Sequence, residues 1–121
     1  MGHLASILTV LLFSTWSWAQ TIVTPYDSIP DFAAFPTIVS AQSGAWSAVS
    51  TWDPPRLPHL NDVVRIEPAH VVTYDRLSTS PLAVLGIGGT LRFRTDLSTR
   101  LIAGTILVYA SGMLEIGTPI L

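Results

Sequence analysis

The same short pattern of apolar and polar positions recurs along the second half of the chain. An apolar-x-apolar unit appears three times at intervals of 21 residues, at Val64/Ile66, Leu85/Ile87 and Ile106/Val108. After a short turn, a second such unit follows each time, at Val72/Tyr74, Leu91/Phe93 and Leu114/Ile116. Each unit is typical of a strand with one buried face. No 3.6-residue helical pattern follows residue 41, so the pattern predicts paired short strands.

A period of about 20 residues built from strands and turns favours a solenoid. The predicted fold class is all-β, a short parallel β-helix of about three rungs, because one rung cannot bury its apolar face alone. Trp46 and Trp52 precede the first rung, and we expect these large aromatic residues to cap the N-terminal end of its core. The alternative is an antiparallel β-sandwich whose strands match by chance.

The N-terminal segment has a different character. Residues 4–18 are almost all apolar, yet they are too few for a membrane span of about 20 residues. Ser17 and Ala19 place small residues at the −3 and −1 positions of a cleavage site. We therefore predict a signal peptide at residues 1–19, a secreted extracellular product, and no transmembrane span after cleavage. An uncleaved anchor and a buried helix are the alternatives.

Two further segments follow the predicted signal peptide. Residues 20–42 read as an extended leader, since Pro25, Pro30 and Pro36 break any helix. Residues 43–121 carry the β-helical domain. The sequence stops directly after a strand and a turn with no polar cap, so we expect the domain to continue beyond the chain end into further C-terminal domains of the same protein.

Composition and charge narrow the classes of binding partner and of chemistry open to the chain. The 121 residues suit one domain, and 12% of them are charged, against about 25% in an average soluble domain. The net charge is −2, with six arginines and no lysine, which argues against a nucleic-acid partner. The absence of cysteine excludes disulfides, thiolate catalysis and cysteine-based zinc sites.

Six motifs occur in a recognisable order. They are SGxW (43–46), STW (50–52), a proline-rich loop leading to DVVxI (62–66), HVVTYD (70–75), GTLxF (89–93) and GMLEIG (112–117). This order resembles the extracellular G-eight domain family over about residues 43–117. The resemblance assigns structural motif positions to Gly44, His70, Gly89, Gly112 and Gly117.

The chain departs from the family pattern in two places. Leu60 and Asn61 precede the aspartate of the proline-rich loop, where the family often has a glycine. Ala69 stands where the family usually has glycine, just before the histidine. Glycine serves such turns by adopting a positive φ, which alanine does poorly. We therefore expect the first turn to differ in shape from that of the family.

The resemblance also implies a function. The family is associated with extracellular polysaccharide, hyaluronan above all, and some full-length members degrade hyaluronan. It implies a polysaccharide-binding module that forms the N-terminal part of a larger extracellular protein, and it implies catalysis by this chain alone much less. The leading portion of a polysaccharide-degrading enzyme and a purely structural adhesin-like scaffold remain as alternatives.

Acidic and basic side chains in two of the motifs form the first candidate site. Asp62 and Asp75 match acidic positions of the family motifs, and Arg56 lies in the proline-rich loop. Together they could bind sugar hydroxyls or a calcium ion. The alternative, which we favour, is that each aspartate accepts hydrogen bonds from backbone amides in a turn.

Arginine and tryptophan side chains supply further binding candidates. Arg92 and Arg94 alternate with apolar residues, so both point outward, where guanidinium groups could grip the carboxylates of an anionic polysaccharide. Cross-rung ion pairs of Arg92 with Glu115 and of Arg94 with Asp75 would explain them without a ligand. Trp46 and Trp52 could stack on sugar rings if they did not cap the core.

Catalytic chemistry finds little support in the sequence. No nucleophile elbow, phosphate loop or metal-binding histidine pair is present, and no cofactor or metal site is identified beyond the calcium alternative. A glycosidase would need two carboxylates facing one cleft. Asp62 with Asp75, and Asp75 with Asp96, are the candidate pairs.

Overall fold

The computed structural model describes residues 22–23 and 28–117. The predicted signal peptide lies outside these residues. Within them the strands are β1 (Ile22–Val23), β2 (Ser28–Ile29), β3 (Ile38–Ser40), β4 (Gly44–Ala45), β5 (Trp52–Asp53), β6 (Val63–Ile66), β7 (Val71–Tyr74), β8 (Leu82–Ile87), β9 (Thr90–Phe93), β10 (Ala103–Val108) and β11 (Met113–Glu115). The one helix in this part of the chain is a 3-10 turn at Val49–Thr51. The all-β class is confirmed.

Two larger sheets hold most of the strands. One has the order β10-β8-β6-β3-β5 and the other the order β11-β9-β7-β4, while β1 and β2 form a separate antiparallel pair. All neighbours in the two larger sheets are parallel except β3 and β5. Strands that follow each other across a turn, such as β6 and β7, lie in different sheets.

The 21-residue spacing of the sequence is the lateral register of the five-stranded sheet. Val64 pairs with Leu85 and Leu85 with Ile106. In the four-stranded sheet, Val72 pairs with Leu91 and Leu91 with Leu114, although the sequence spacing there is uneven. The alignment predicted from the apolar units is confirmed, since the turns absorb the difference in length while the strands keep their register.

The apolar units of the two sheets form one core. Val64, Ile66, Leu85, Ile87 and Leu91 are all fully buried. Burial of a Val, Leu or Ile side chain contributes about 1.5–3 kcal/mol, so this shared core stabilises the stack of strands that no single pair could sustain.

Four aromatic rings run through the core from its β4–β5 edge. The ring centroids of Trp52 and Trp46, of Trp46 and Tyr74, and of Tyr74 and Phe93 are each 4.9 Å apart. The indole of Trp52 donates a hydrogen bond of 2.9 Å to the Trp46 carbonyl. The tryptophans are thus buried at the edge of the sheets for which the sequence predicts a cap.

Part of the segment predicted as leader joins the sheets. β3 pairs in parallel with β6, with Ile38 opposite Val64. Ahead of it, Ala33 is fully buried, and a Cβ on Gly86 would come within 2.7 Å of the Ala33 Cβ. The Tyr109 hydroxyl also donates to Asp31, so residues 31–34 pack against the five-stranded sheet.

The first turn keeps the backbone conformation for which glycine is suited. Ala69 has a φ of 71°, and Asn61, ahead of β6, has a φ of 63°. Ala69 thus adopts the left-handed conformation that alanine accommodates poorly, and a turn shaped differently from that of the family stays a prediction. A non-glycine residue in this region carries a strain of about 1–2 kcal/mol.

Candidate functional site

The proline-rich loop is tied to the start of β6 by one ion pair. Arg56 donates to both carboxylate oxygens of Asp62, at 2.7 and 3.1 Å. The same carboxylate accepts hydrogen bonds from the His59 amide at 2.8 Å and the Thr37 hydroxyl at 2.8 Å. Asp62 therefore joins three segments of the chain. The sequence favoured a role in a turn for this carboxylate, and the structure adds its salt bridge with Arg56.

These contacts govern the charge of Asp62. Burial by itself would raise the pKa of this carboxyl group, but the hydrogen bonds from Arg56, His59 and Thr37, with the charge of Arg56, outweigh burial and lower the pKa to about 2. Asp62 is therefore ionised at neutral pH. Both of its oxygens are already occupied by donors, which leaves it poorly suited to calcium.

Asp75 serves a separate turn. Its carboxylate accepts from the Ser47 amide at 3.1 Å and from the Ser47 hydroxyl at 2.5 Å. No group of three His, Asp or Glu side chains within residues 28–117 is arranged to hold a metal ion. Asp62 and Asp75 thus serve separate turns, and the calcium alternative stays a prediction.

Arg92 and Arg94 lie on the rim of one groove of about 230 Å³. Its wall includes Thr73, Arg92, Phe93, Arg94, Asp96 and Glu115. Arg92 lies in β9, the half-buried Phe93 is the last residue of that strand, and Arg94 follows it. The groove thus combines two exposed guanidinium groups with Thr73, whereas the ring of Phe93 packs against Tyr74 in the core.

The ion pairs of the groove agree with the sequence for one arginine. Arg92 Nε donates to Glu115 Oε2 at 2.5 Å across neighbouring strands, as predicted. The prediction for Arg94 is wrong, because this side chain pairs with Asp96 two residues later and not with Asp75. The mutual hydrogen bonds raise the pKa of Arg94 and lower the pKa of Asp96.

The other predicted residues have structural contacts. Trp46 and Trp52 are only 3% and 2% exposed, so neither face is open to a sugar ring. In the first turn, His70 Nδ1 lies 2.7 Å from the hydroxyl of Ser40.

The motif glycines stand where the backbone leaves little room for a side chain. A Cβ on Gly89 would lie 2.3 Å from the carbonyl oxygen of His70. A Cβ on Gly112 would lie 1.9 Å from the carbonyl oxygen of Ile87. A Cβ on Gly44 would lie 2.6 Å from the hydroxyl oxygen of Thr51. Gly117 has space for a Cβ, but its φ of 77° favours glycine.

A second cleft contains a basic residue that sequence reasoning missed. It measures about 200 Å³, and its lining includes Trp46, His59, Tyr74, Arg76, Ser78 and Leu101. Arg76 lies in the loop between β7 and β8. Loop residues have no strand register to align with the next repeat, so the apolar pattern gave no signal for this arginine.

Neither candidate catalytic pair lies together in the groove or in the second cleft. Asp96 is the one member of those pairs in the wall of the groove, and none of them lines the second cleft. Glu115 shares the groove with Asp96, but each is held by an arginine. The lowered pKa of Asp96 is the reverse of what a general acid requires.

Comparison with known proteins gives one positive result. The family model of the G8 domain matches residues 51–120, which is more than half of the chain. No curated protein and no solved structure matches the sequence. Within the described residues, the structure holds no helix with the length and apolar character that a membrane crossing requires.

Proposed function

The chain belongs to the G8 domain family, a family of extracellular domains, and from this premise we propose that it is a secreted module that binds an acidic polysaccharide of the hyaluronan type. In this proposal the module is the N-terminal part of a larger extracellular protein. It binds the polymer and does not cut it. The arginine-lined groove, and not the tryptophans or Asp62, is its binding surface.

The proposed scaffold is a short parallel β-helix. Successive strands alternate between the two sheets, and each strand pairs in parallel with its counterpart about 20 residues away. Coils β6–β7, β8–β9 and β10–β11 would be the three rungs, with β3–β4 as a shorter coil ahead of them. Such a scaffold holds outward side chains of neighbouring rungs in a row about 4.8 Å apart, a spacing suited to an extended polymer.

The groove lined by Arg92 and Arg94 is the observation that carries the proposal. Guanidinium groups bind carboxylates through paired hydrogen bonds. Both arginines are already paired with acids, but exposed ion pairs contribute only about 0–1 kcal/mol. A polymer carboxylate can therefore replace Glu115 or Asp96 at small cost.

A binding assay with hyaluronan tests this proposal. The Arg92→Gln, Arg94→Gln double variant should bind immobilised hyaluronan about tenfold more weakly, since two exposed charge contacts together supply about 1.4 kcal/mol. Arg65→Gln is the matched control: it removes the same charge, but Arg65 pairs with Glu67 outside the groove. Its affinity should stay unchanged.

Two further readouts separate binding from its alternatives. Glu115→Gln should tighten binding, because it removes the competing carboxylate from Arg92. Hyaluronan incubated with the protein should keep its chain length in gel electrophoresis. Equal affinity in the double variant and the wild type would reject the groove as the binding surface, and shortening of the polymer would favour the enzymatic alternative.

A further inference from the structure

The two ends of the five-stranded sheet are closed differently. At one end, the short strand β5 covers β3 and pairs with it in the antiparallel direction. β5 is only two residues long, its second residue is Asp53, and Pro54 and Pro55 follow directly. Short length, charge and proline are devices by which an edge strand avoids pairing with another chain, and proline has no N–H to donate. This end of the sheet is therefore protected.

The opposite end, at β10, has none of these devices. β10 is six residues long, and within the described residues it pairs with β8 alone. Residues 101–117 contain no proline, and Glu115, which pairs with Arg92, is the one charged residue among them. An edge strand of this kind presents unpaired N–H and C=O groups that can form hydrogen bonds with a further strand.

Side chains that belong to the core are uncovered at this edge. Ile106 and Val108 lie in register with Leu85 and Ile87 of β8, which are fully buried. In β10, however, 44% of Ile106 and 42% of Val108 are exposed. Ile116, directly after β11, is 69% exposed. The edge therefore combines unpaired backbone groups with an exposed apolar patch, a combination typical of an interaction surface.

We propose that the β10 edge pairs with the same edge of a second copy of this chain, giving a closed dimer. A two-fold axis perpendicular to the sheet makes the two copies of β10 antiparallel and keeps their apolar sides on one face. The sheet already accepts an antiparallel strand at its other end, where β5 pairs with β3. Ile106 and Val108 of each copy would then be covered by the edge of the other.

Charge and the protected end favour a second copy as the occupant. Near a two-fold axis each side chain lies close to its own counterpart, so a charged residue would meet a like charge, which destabilises paired strands. Residues 103–108 carry no charge and so bring no such repulsion. Because the β5 end is protected, it offers no complementary edge, and the contact closes as a dimer rather than growing into a filament. This inference goes beyond the proposed function, in which a following segment of the same protein is the competing occupant.

Sedimentation equilibrium of the protein at increasing concentration tests the edge. The wild type should pass from monomer to dimer. Ile106→Lys and Val108→Lys should each weaken the dimer about tenfold, since the added charges of the two copies meet near the axis. Val49→Lys is the matched control: Val49 is 53% exposed in the 3-10 turn directly before β5, at the protected end, and this variant should dimerise as the wild type does.

Hydrogen exchange on the same samples identifies the strand. The amides of β10 that point away from β8 should become protected as the dimer forms. They should lose this protection on dilution, when Ile106 returns to the exposure that it has in the single chain. The amides of β8 should stay protected in every variant, which shows that the new lysine has not unfolded the core.

Three results would overturn the dimer. The first is a monomer at every concentration; protected β10 amides in that monomer would identify a segment of the same chain as the cover. The second is an assembly that grows beyond the dimer, which would require a contact other than the two-fold edge. The third is a dimer that Val49→Lys weakens as much as Ile106→Lys does.

Discussion

Asp62 shows how a residue singled out for chemistry can serve the fold. It is buried, and its donors come from the proline-rich loop and from Thr37 just ahead of β3. Removing one partner of a buried pair leaves the other charge uncompensated, which costs more than the intact pair contributes. The carboxylate that could have been a ligand or a general base is therefore a structural anchor.

Acidic pH should remove the contribution of Asp62 to the stability of the fold. The pKa of Asp62 is about 2 in the folded protein against 3.8 in the unfolded chain, so its contribution of about 2 kcal/mol is complete above pH 4 and is lost as the pH falls through 2. Urea unfolding at pH 6 and at pH 2.5 should show a smaller loss of stability in Asp62→Asn than in the wild type. Asp53→Asn, at an exposed position, should lose as much as the wild type does.

At the scale of secondary-structure elements, the turns set the distance between neighbouring coils. Gly89 ends the turn before β9, and the backbone of the preceding turn, at Glu67 and His70, comes so close that no Cβ fits. Gly112 has the same relation to Ile87 before β11. The glycines of the family motif are thus required here by close backbone approach, whereas Ala69 shows that a positive φ alone does not demand glycine.

Substitution at two adjacent glycines measures this effect. In Gly89→Ala the new Cβ would lie 2.3 Å from a carbonyl oxygen, and overpacking should lower the free energy of unfolding by about 1–3 kcal/mol. In Gly88→Ala the closest contact is 3.1 Å, so the loss should be clearly smaller. Urea midpoints of the two variants give the comparison, and equal losses would show that close approach is not the cause.

Burial is uneven along the stack at the scale of the whole molecule. Leu85 in β8 is fully buried, but its partner Ile106 in β10 is 44% exposed, because β10 is the edge strand of its sheet among the described residues. Val108, Met113 and Ile116 are exposed in the same region. The core is therefore densest at its middle strands and weakest at the β10–β11 edge.

Alanine substitution at these two aligned positions tests the gradient. Leu85→Ala should cost about 2–5 kcal/mol, as is usual for a buried leucine. Ile106→Ala should cost less than about 1.5 kcal/mol, because nearly half of its surface already faces water. Equal losses of unfolding free energy in urea would mean that Ile106 is covered, and so would contradict the exposed edge.

The sequence by itself determined the class, the family and the register. Strand register depends on which side chains face inward, and a period of two within strands and of 21 residues between them leaves one alignment that places Val64, Leu85 and Ile106 on the same face. The same logic gave the Arg92–Glu115 pair, because outward residues follow the register of their inward neighbours.

Only the tertiary structure decided the partners outside that register. Arg94 directly follows the last residue of β9, and its side chain pairs with Asp96 in the loop rather than with Asp75, the residue after β7. The burial of Trp46 and the backbone hydrogen bond from the Arg100 amide to the Arg76 carbonyl likewise depend on how loops of unequal length pack together. Loops carry no periodic constraint, so their contacts are set by packing between distant segments, which no local pattern encodes.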